Sequence, residues 1–168
     1  MPTRYKIRQQ IFSIGDDFWI ENQEGRRVFK VDGKALRLRE TLIFEDMNGN
    51  KLAKIQERLL AFKDTMTVED AQGREMAVIK KGLIAPLGDH WKVTVRGGPD
   101  LDVQGNILDL EYSIMQRRNK IAEVSKKWLS LADTYGVEID DGQNDILILA
   151  VAIAIDMMSH DEDGQKRK

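Results

Sequence analysis

His90 and His160 are the only imidazoles of the chain, and cysteine is absent. General-base or nucleophilic chemistry needs such a group within hydrogen-bond reach of a nucleophile and of an orienting partner. His90 lies in GDHW, beside a turn glycine and the strand-starting Trp91, which is the setting of a surface or packing residue. His160 follows the longest apolar run and is placed to meet a helix C-terminus. No Gly-x-Ser-x-Gly elbow, P-loop or dinucleotide glycine pattern occurs. The chain is therefore read as non-enzymatic, with no cofactor.

Carboxylates offer little more. Asp46 and Asp70 recur at equivalent turn positions, but the oxygen ligands of a calcium loop are too sparse around them, and turn formation suffices. Asp140, Asp141 and Asp145 cluster ahead of the apolar run and read as a solvated loop with a helix cap, so no metal site is expected. Cations are the remaining candidates. Arg117, Arg118, Lys120, Lys126 and Lys127 place five positive charges within eleven residues, opposed only by Glu123. Lys80 and Lys81 form a second pair, and Arg37 and Arg39 share one face of LRLR. Such residues suit a phosphorylated headgroup or an anionic membrane surface; the plainer reading is the polar outer face of a sheet. Trp19, Trp91 and Trp128 read as core or sheet-edge residues.

The elements that must position these residues announce themselves by a repeat. Asn22–Gly25, Asp46–Gly49, Asp70–Gly73 and Asp102–Gly105 all read Asx-x-x-Gly, at spacings of 24, 24 and 32. An Asx side chain folds back onto backbone N–H groups, and glycine accepts the positive φ that closes a hairpin. Each is expected to be a hairpin tip. FWIE, LIFE and MTVE precede the first three tips and RRVFKV, NKLAKI and REMAVI follow them. Further turns fall at Asp32-Gly33 and Gly97-Gly98-Pro99. About a dozen short strands, from Tyr5–Ile11 to Tyr135–Ile139, predict an all-β sandwich or barrel.

NDILILAVAIAIDMMSH, residues 144–160, stands apart. Ten apolar residues run unbroken from Ile146 to Ile155. Length, three alanines, and Asn144 with Asp145 as cap and first-turn acid favour a helix over a buried strand. Crossing a bilayer takes about 20 apolar residues, and the acidic flanks lack the lysines and arginines of an anchor. Burial inside protein is the better reading. A helix about 10 Å wide overfills an eight-stranded barrel, so a larger barrel is needed, and a dozen strands suit it.

The order FSIGDDFWIENQEG, VFKVDGKALRLRETLIFEDMNG, KLAKIQERLL, AEVSKKWLSLADTYGVEI and ILILAVAIAID resembles the LURP-one-related proteins. The resemblance spans roughly Tyr5 to Met158. It implies a fold similar to the tubby C-terminal domain and to phospholipid scramblases: a closed antiparallel barrel of about twelve strands around a central hydrophobic C-terminal helix. Tubby domains bind phosphoinositides and are not enzymes, but their headgroup-binding residues find no match here.

Composition bounds the remaining readings. With 42% hydrophobic and 32% charged residues, the 168-residue chain reads as one globular domain. Residues 1–127 hold 23 Lys and Arg against 19 Asp and Glu, while residues 138–163 hold eight acids and no base. That mild asymmetry, with a pI near 5.8, argues against nucleic acid as a partner. Lack of cysteine and of a leader-like N-terminal run points to the cytoplasm. The expectation is a single mainly β domain over residues 1–160, its helix at about 144–159, with a disordered tail over 161–168. It is read as a binding or scaffold module for phospholipid or phosphoinositide headgroups or a protein partner, peripheral at the membrane and without a span. Arg117, Arg118, Lys120, Lys126 and Lys127 are its candidate ligand-binding residues. The alternative is a scramblase-like protein in which the apolar segment inserts.

Overall fold

Three of the four Asx-x-x-Gly stretches close hairpins, and they do so by the same bonds. Asn22 Oδ1 accepts from Glu24 and Arg26 N–H (3.1 and 3.0 Å), Asp46 Oδ1 from Asn48 and Asn50, and Asp70 Oδ1 from Gln72 and Arg74, the last four all at 2.9 Å. Each loop's glycine N–H returns to the Asx carbonyl, and Gly25, Gly49 and Gly73 hold φ of 76°, 85° and 81°. The extra residue shows as a register shift after Ile20, Phe44 and Val68. These loops are one device used three times.

The computed structural model describes residues 1–8, 17–33, 41–58, 65–82, 84–85, 88–129 and 134–166. Thirteen strands lie among them: β1 (Thr3–Arg8), β2 (Phe18–Glu21), β3 (Arg27–Asp32), β4 (Thr41–Asp46), β5 (Lys51–Glu57), β6 (Thr65–Asp70), β7 (Glu75–Lys80), β8 (Ile84–Ala85), β9 (Gly88–Val95), β10 (Leu101–Asn106), β11 (Glu111–Gln116), β12 (Asn119–Ser125) and β13 (Thr134–Ile139). Every pairing is antiparallel. Twelve strands form a ring, β1 to β7 and then β9 to β13, each beside its neighbour in the chain. Pairing of β13 with β1, from Thr3 opposite Ile139 to Arg8 opposite Thr134, closes it. Among the described residues, short β8 pairs only with β9. The barrel is an up-and-down barrel without a free edge in the ring.

The fourth Asx-x-x-Gly stretch is not a tip. Asp102–Gly105 lies inside β10, and the turn comes later, at 107–110. Gly105 serves the close approach of β11 instead: a Cβ there would sit 2.6 Å from the Glu111 carbonyl oxygen and 2.8 Å from Tyr112 Cα. The expected strand Tyr5–Ile11 begins at Thr3, and its residues 9–11 lie outside the described residues.

One face of the ring strands lines the interior. Ile7, Ile20, Val31, Phe44, Ile55, Val68, Ile79, Val93 and Val103 are all fully buried. Inside the ring runs α1 (Asp145–Lys166), with every residue from Leu147 to Ser159 buried. The buried stretch matches the helix expected at about 144–159, and helical backbone is described through Lys166. Ala150, Ala152 and Ala154 are entirely inaccessible; they are the small residues a helix needs where wall and backbone crowd together. Asn144 caps the helix, its Oδ1 accepting from Leu147 N–H at 3.1 Å and its carbonyl from Ile148 N–H at 3.0 Å. Asp145 is tied to the wall by the Tyr5 hydroxyl, which donates to Oδ2 at 2.6 Å. Deeper in, the buried Asp156 faces Tyr112 and Tyr135; burial first, and then its nearby charge, raises both phenols well above their ordinary pKa.

Ala152→Asp places an unpaired carboxylate in this interior, at a cost of about 3–5 kcal/mol. The variant is expected in the insoluble fraction. A soluble variant melting with the wild type contradicts helix burial.

A pH signature belongs to the tips. Asp46 is held below the usual carboxylate range by the Asn50 side chain and by backbone N–H donors, and Asp70 by the Arg74 and Gln72 N–H groups with the Arg74 side chain. Such a carboxylate contributes stability above its unfolded pKa, about 4, and loses it as pH falls through the lower folded value. Asn22 makes the same loop without a charge. Asp46→Asn with Asp70→Asn is therefore expected to lose less melting temperature than the wild type between about pH 6 and about pH 3; an equal loss contradicts the assignment.

Candidate functional site

A closed ring filled by its helix leaves two ends and an outer wall for binding. Six connections share the end at which the helix begins: 22–26, 46–50, 70–74, 96–100, 116–119 and 140–144. Most of their charges are matched. Arg74 Nε donates to Asp70 Oδ2 at 2.9 Å, Lys120 Nζ to Glu123 at 2.6 Å, and the N-terminal ammonium of Met1 contacts Asp141. Asp145 is held by Tyr5. Asp141 and Asp145 thus meet separate partners, and among the described residues no three His, Asp or Glu side chains gather as metal ligands.

Three arginines on this rim are different. Arg96, Arg117 and Arg118 have no carboxylate partner among the described residues. They belong to adjacent turns, because Leu101, just past the 96–100 turn, pairs with Gln116, just before Arg117. All three are exposed. Arg117 adopts a left-handed φ of 55°, which costs an L-residue about 1–2 kcal/mol. Glycine would relieve that cost, yet arginine occupies the position.

The five cations of the sequence reading are not one cluster. Strand β12, seven residues or roughly 23 Å, lies between Arg117 and Arg118 on one side and Lys126 and Lys127 on the other, with Lys120 near its start. Arg117, Arg118 and Lys120 share the rim with Arg96, while Lys126 and Lys127 lie at the opposite end. There the Lys126 N–H donates to Glu111 Oε1 at 3.0 Å and the Lys127 N–H to Ser125 Oγ at 3.1 Å. Lys80 is exposed on the outer wall, directly opposite Lys92. The amine of Lys81 is buried, 5.7 Å from the centre of the Trp91 ring. Arg37 and Arg39 lie outside the described residues. Arg96 escaped sequence reading because 21 residues separate it from Arg117; only the pairing of β10 with β11 joins them.

Between the 70–74 and 96–100 turns a pocket of about 390 Å³ opens beside the helix N-terminus, lined by Asp70, Arg74, Glu75, Met76, Val95, Arg96, Asn144 and Leu147. Elsewhere the chemistry-bearing residues are accounted for by packing. His90 is exposed on the outer wall, 3.7 Å from Asp102 and 3.3 Å from the Gln104 amide. The side chain of His160 lies outside the described residues. Trp91 is core, Trp19 stacks under Arg27 (4.2 Å), and Trp128 lies under Arg4 (4.7 Å) against Gly136.

The family model described as LURP-one-related matches residues 3–156, which include all thirteen strands and the buried helix as far as Asp156. The chain belongs to the LURP-one-related family. Among curated proteins, this LURP-one-related chain is similar to the uncharacterized protein YxjI of Bacillus subtilis, with 25% identity over 165 residues and 95% of each chain covered. Among solved structures it is similar to an X-ray structure of a protein from Arabidopsis thaliana, with a TM-score of 0.65 and 16% identity over 92% of this chain and 89% of that one. The likeness to the plant protein is one of fold.

If Arg117 is kept for its charge at the expense of its backbone, Arg117→Gly should fold at least as stably as the wild type, by about 0–1 kcal/mol in chemical denaturation. A clear loss of stability would show that the side chain serves the fold.

Proposed function

We propose that this LURP-one-related protein is a non-enzymatic binding module of the cytoplasm, peripheral at the membrane, whose helix-proximal rim receives the anionic headgroups of phospholipids. The observation that carries the reading is the set of exposed arginines on two adjacent turns, Arg96, Arg117 and Arg118, which have no carboxylate partner among the described residues. Cations near an anionic bilayer surface contribute about 1 kcal/mol each, and a rigid ring presents them without the entropy cost of ordering a loop. Lys120 stands beside them, its pKa raised by Glu123, and adds a charge already partly compensated. Lys126 and Lys127 face away and have no part in this rim.

The second reading, insertion of the apolar segment, asks for a different molecule. Among the described residues no helix is long and apolar enough to cross a membrane. Releasing residues 146–158 would also empty the barrel of the side chains that fill it.

Flotation with liposomes containing phosphatidylserine or phosphoinositide, against neutral liposomes, tests the proposal. The wild type is expected to float only with anionic vesicles, and Arg117→Glu with Arg118→Glu to reduce binding at least tenfold while melting normally. Absence of binding to either vesicle, or binding unchanged by the double substitution, overturns it.

A further inference from the structure

The pocket beside the helix N-terminus differs from the rest of the rim in joining an apolar floor to an unpaired cation. Met76 and Val95 are half-buried and Leu147 is 8% exposed; together they make the floor. Arg96 is fixed at its edge through the backbone, because its N–H donates to the Met76 carbonyl at 2.9 Å, while its guanidinium has no partner among the described residues. Across the opening stands Arg74, held in place by Asp70.

The acids that also line the pocket are already engaged. Asp70 accepts from Gln72, Arg74 and the Gly73 turn, and Glu75 lies 3.7 Å from Arg58. The first helical donor in reach, Leu147 N–H, is taken by Asn144, so the helix end is not itself the attraction. An unmatched positive charge above a hydrocarbon floor selects a ligand that carries both a negative group and apolar carbon. Its volume, about 390 Å³, is within the range of small-molecule sites.

The geometry points to this pocket as the binding site for one anionic phospholipid, its phosphate on Arg96 and its first chain carbons on Met76, Val95 and Leu147. This rests on the headgroup reading of the rim and sharpens it, from a diffuse charged surface to a single stoichiometric site. Arg117 and Arg118 then meet neighbouring headgroups.

Methyl-resolved NMR of the whole chain would follow Met76, Val95 and Leu147 during titration with dihexanoyl phosphatidic acid below its micellar concentration, with inorganic phosphate and hexanoate in separate titrations. The phospholipid is expected to shift all three methyl sets saturably, and Arg96→Glu to weaken its binding at least tenfold. Val95→Thr, a change of similar shape that puts a hydroxyl on the floor, should weaken it severalfold. Unmoved methyls overturn the inference, as do shifts unaltered by Arg96→Glu, or phosphate or hexanoate binding as tightly as the phospholipid. The two readings fail separately. Vesicles that bind through Arg117 and Arg118 while the methyls stay still leave the rim and remove the pocket; saturable methyl shifts without vesicle binding do the reverse.

Discussion

Enclosure of one apolar helix is the constraint on which the rest depends. A segment with buried side chains on every side from Leu147 to Ser159 has no amphipathic face to lay on a sheet, so the sheet has to go round it. Closure is therefore obligatory, and it falls to the last contact in the ring, β13 against β1, which joins the two ends of the strand sequence. The same contact carries the tether between Tyr5 on β1 and Asp145 at the helix start. Wall and filling are locked by neighbouring residues.

That arrangement distributes the chemistry. Interior positions are spent on packing, with polar exceptions such as Tyr112, Tyr135 and Asp156, whose mutual approach adds orientation to an otherwise non-directional core. The outer wall carries cross-strand ion pairs, such as Arg4 with Glu138 and Lys54 with Glu69. What remains is the rim of tight turns, whose order is fixed by the strands they join. The charge left unpaired on such turns among the described residues is not demanded by the fold.

Much of the fold was legible in the residues, and the reasons are local. An Asx side chain and a glycine at fixed offset act within five residues, so the first three tips could be read off the chain. The same pattern misled at Asp102–Gly105, where the glycine answers to the backbone of β11, a partner the local sequence does not name. Its spacing of 32 against 24 and 24 was the visible sign of a different role. The helix was legible from length and flanks. The candidate site was legible only in part. Of the candidate cations, Arg117, Arg118 and Lys120 lie at one end of β12 and Lys126 and Lys127 at the other; nearness in space adds Arg96 to the first group, through a strand pairing.

Amide hydrogen exchange of α1 tests the central claim most directly. If the helix is the enclosed core, the amides from Ile148 to Met158 should exchange only through global unfolding, with protection equal to the free energy measured by denaturant and matched by the β1 and β13 amides that close the ring. Protection of those helix amides well below the global value, or helix exchange while β1 and β13 remain protected, would contradict it.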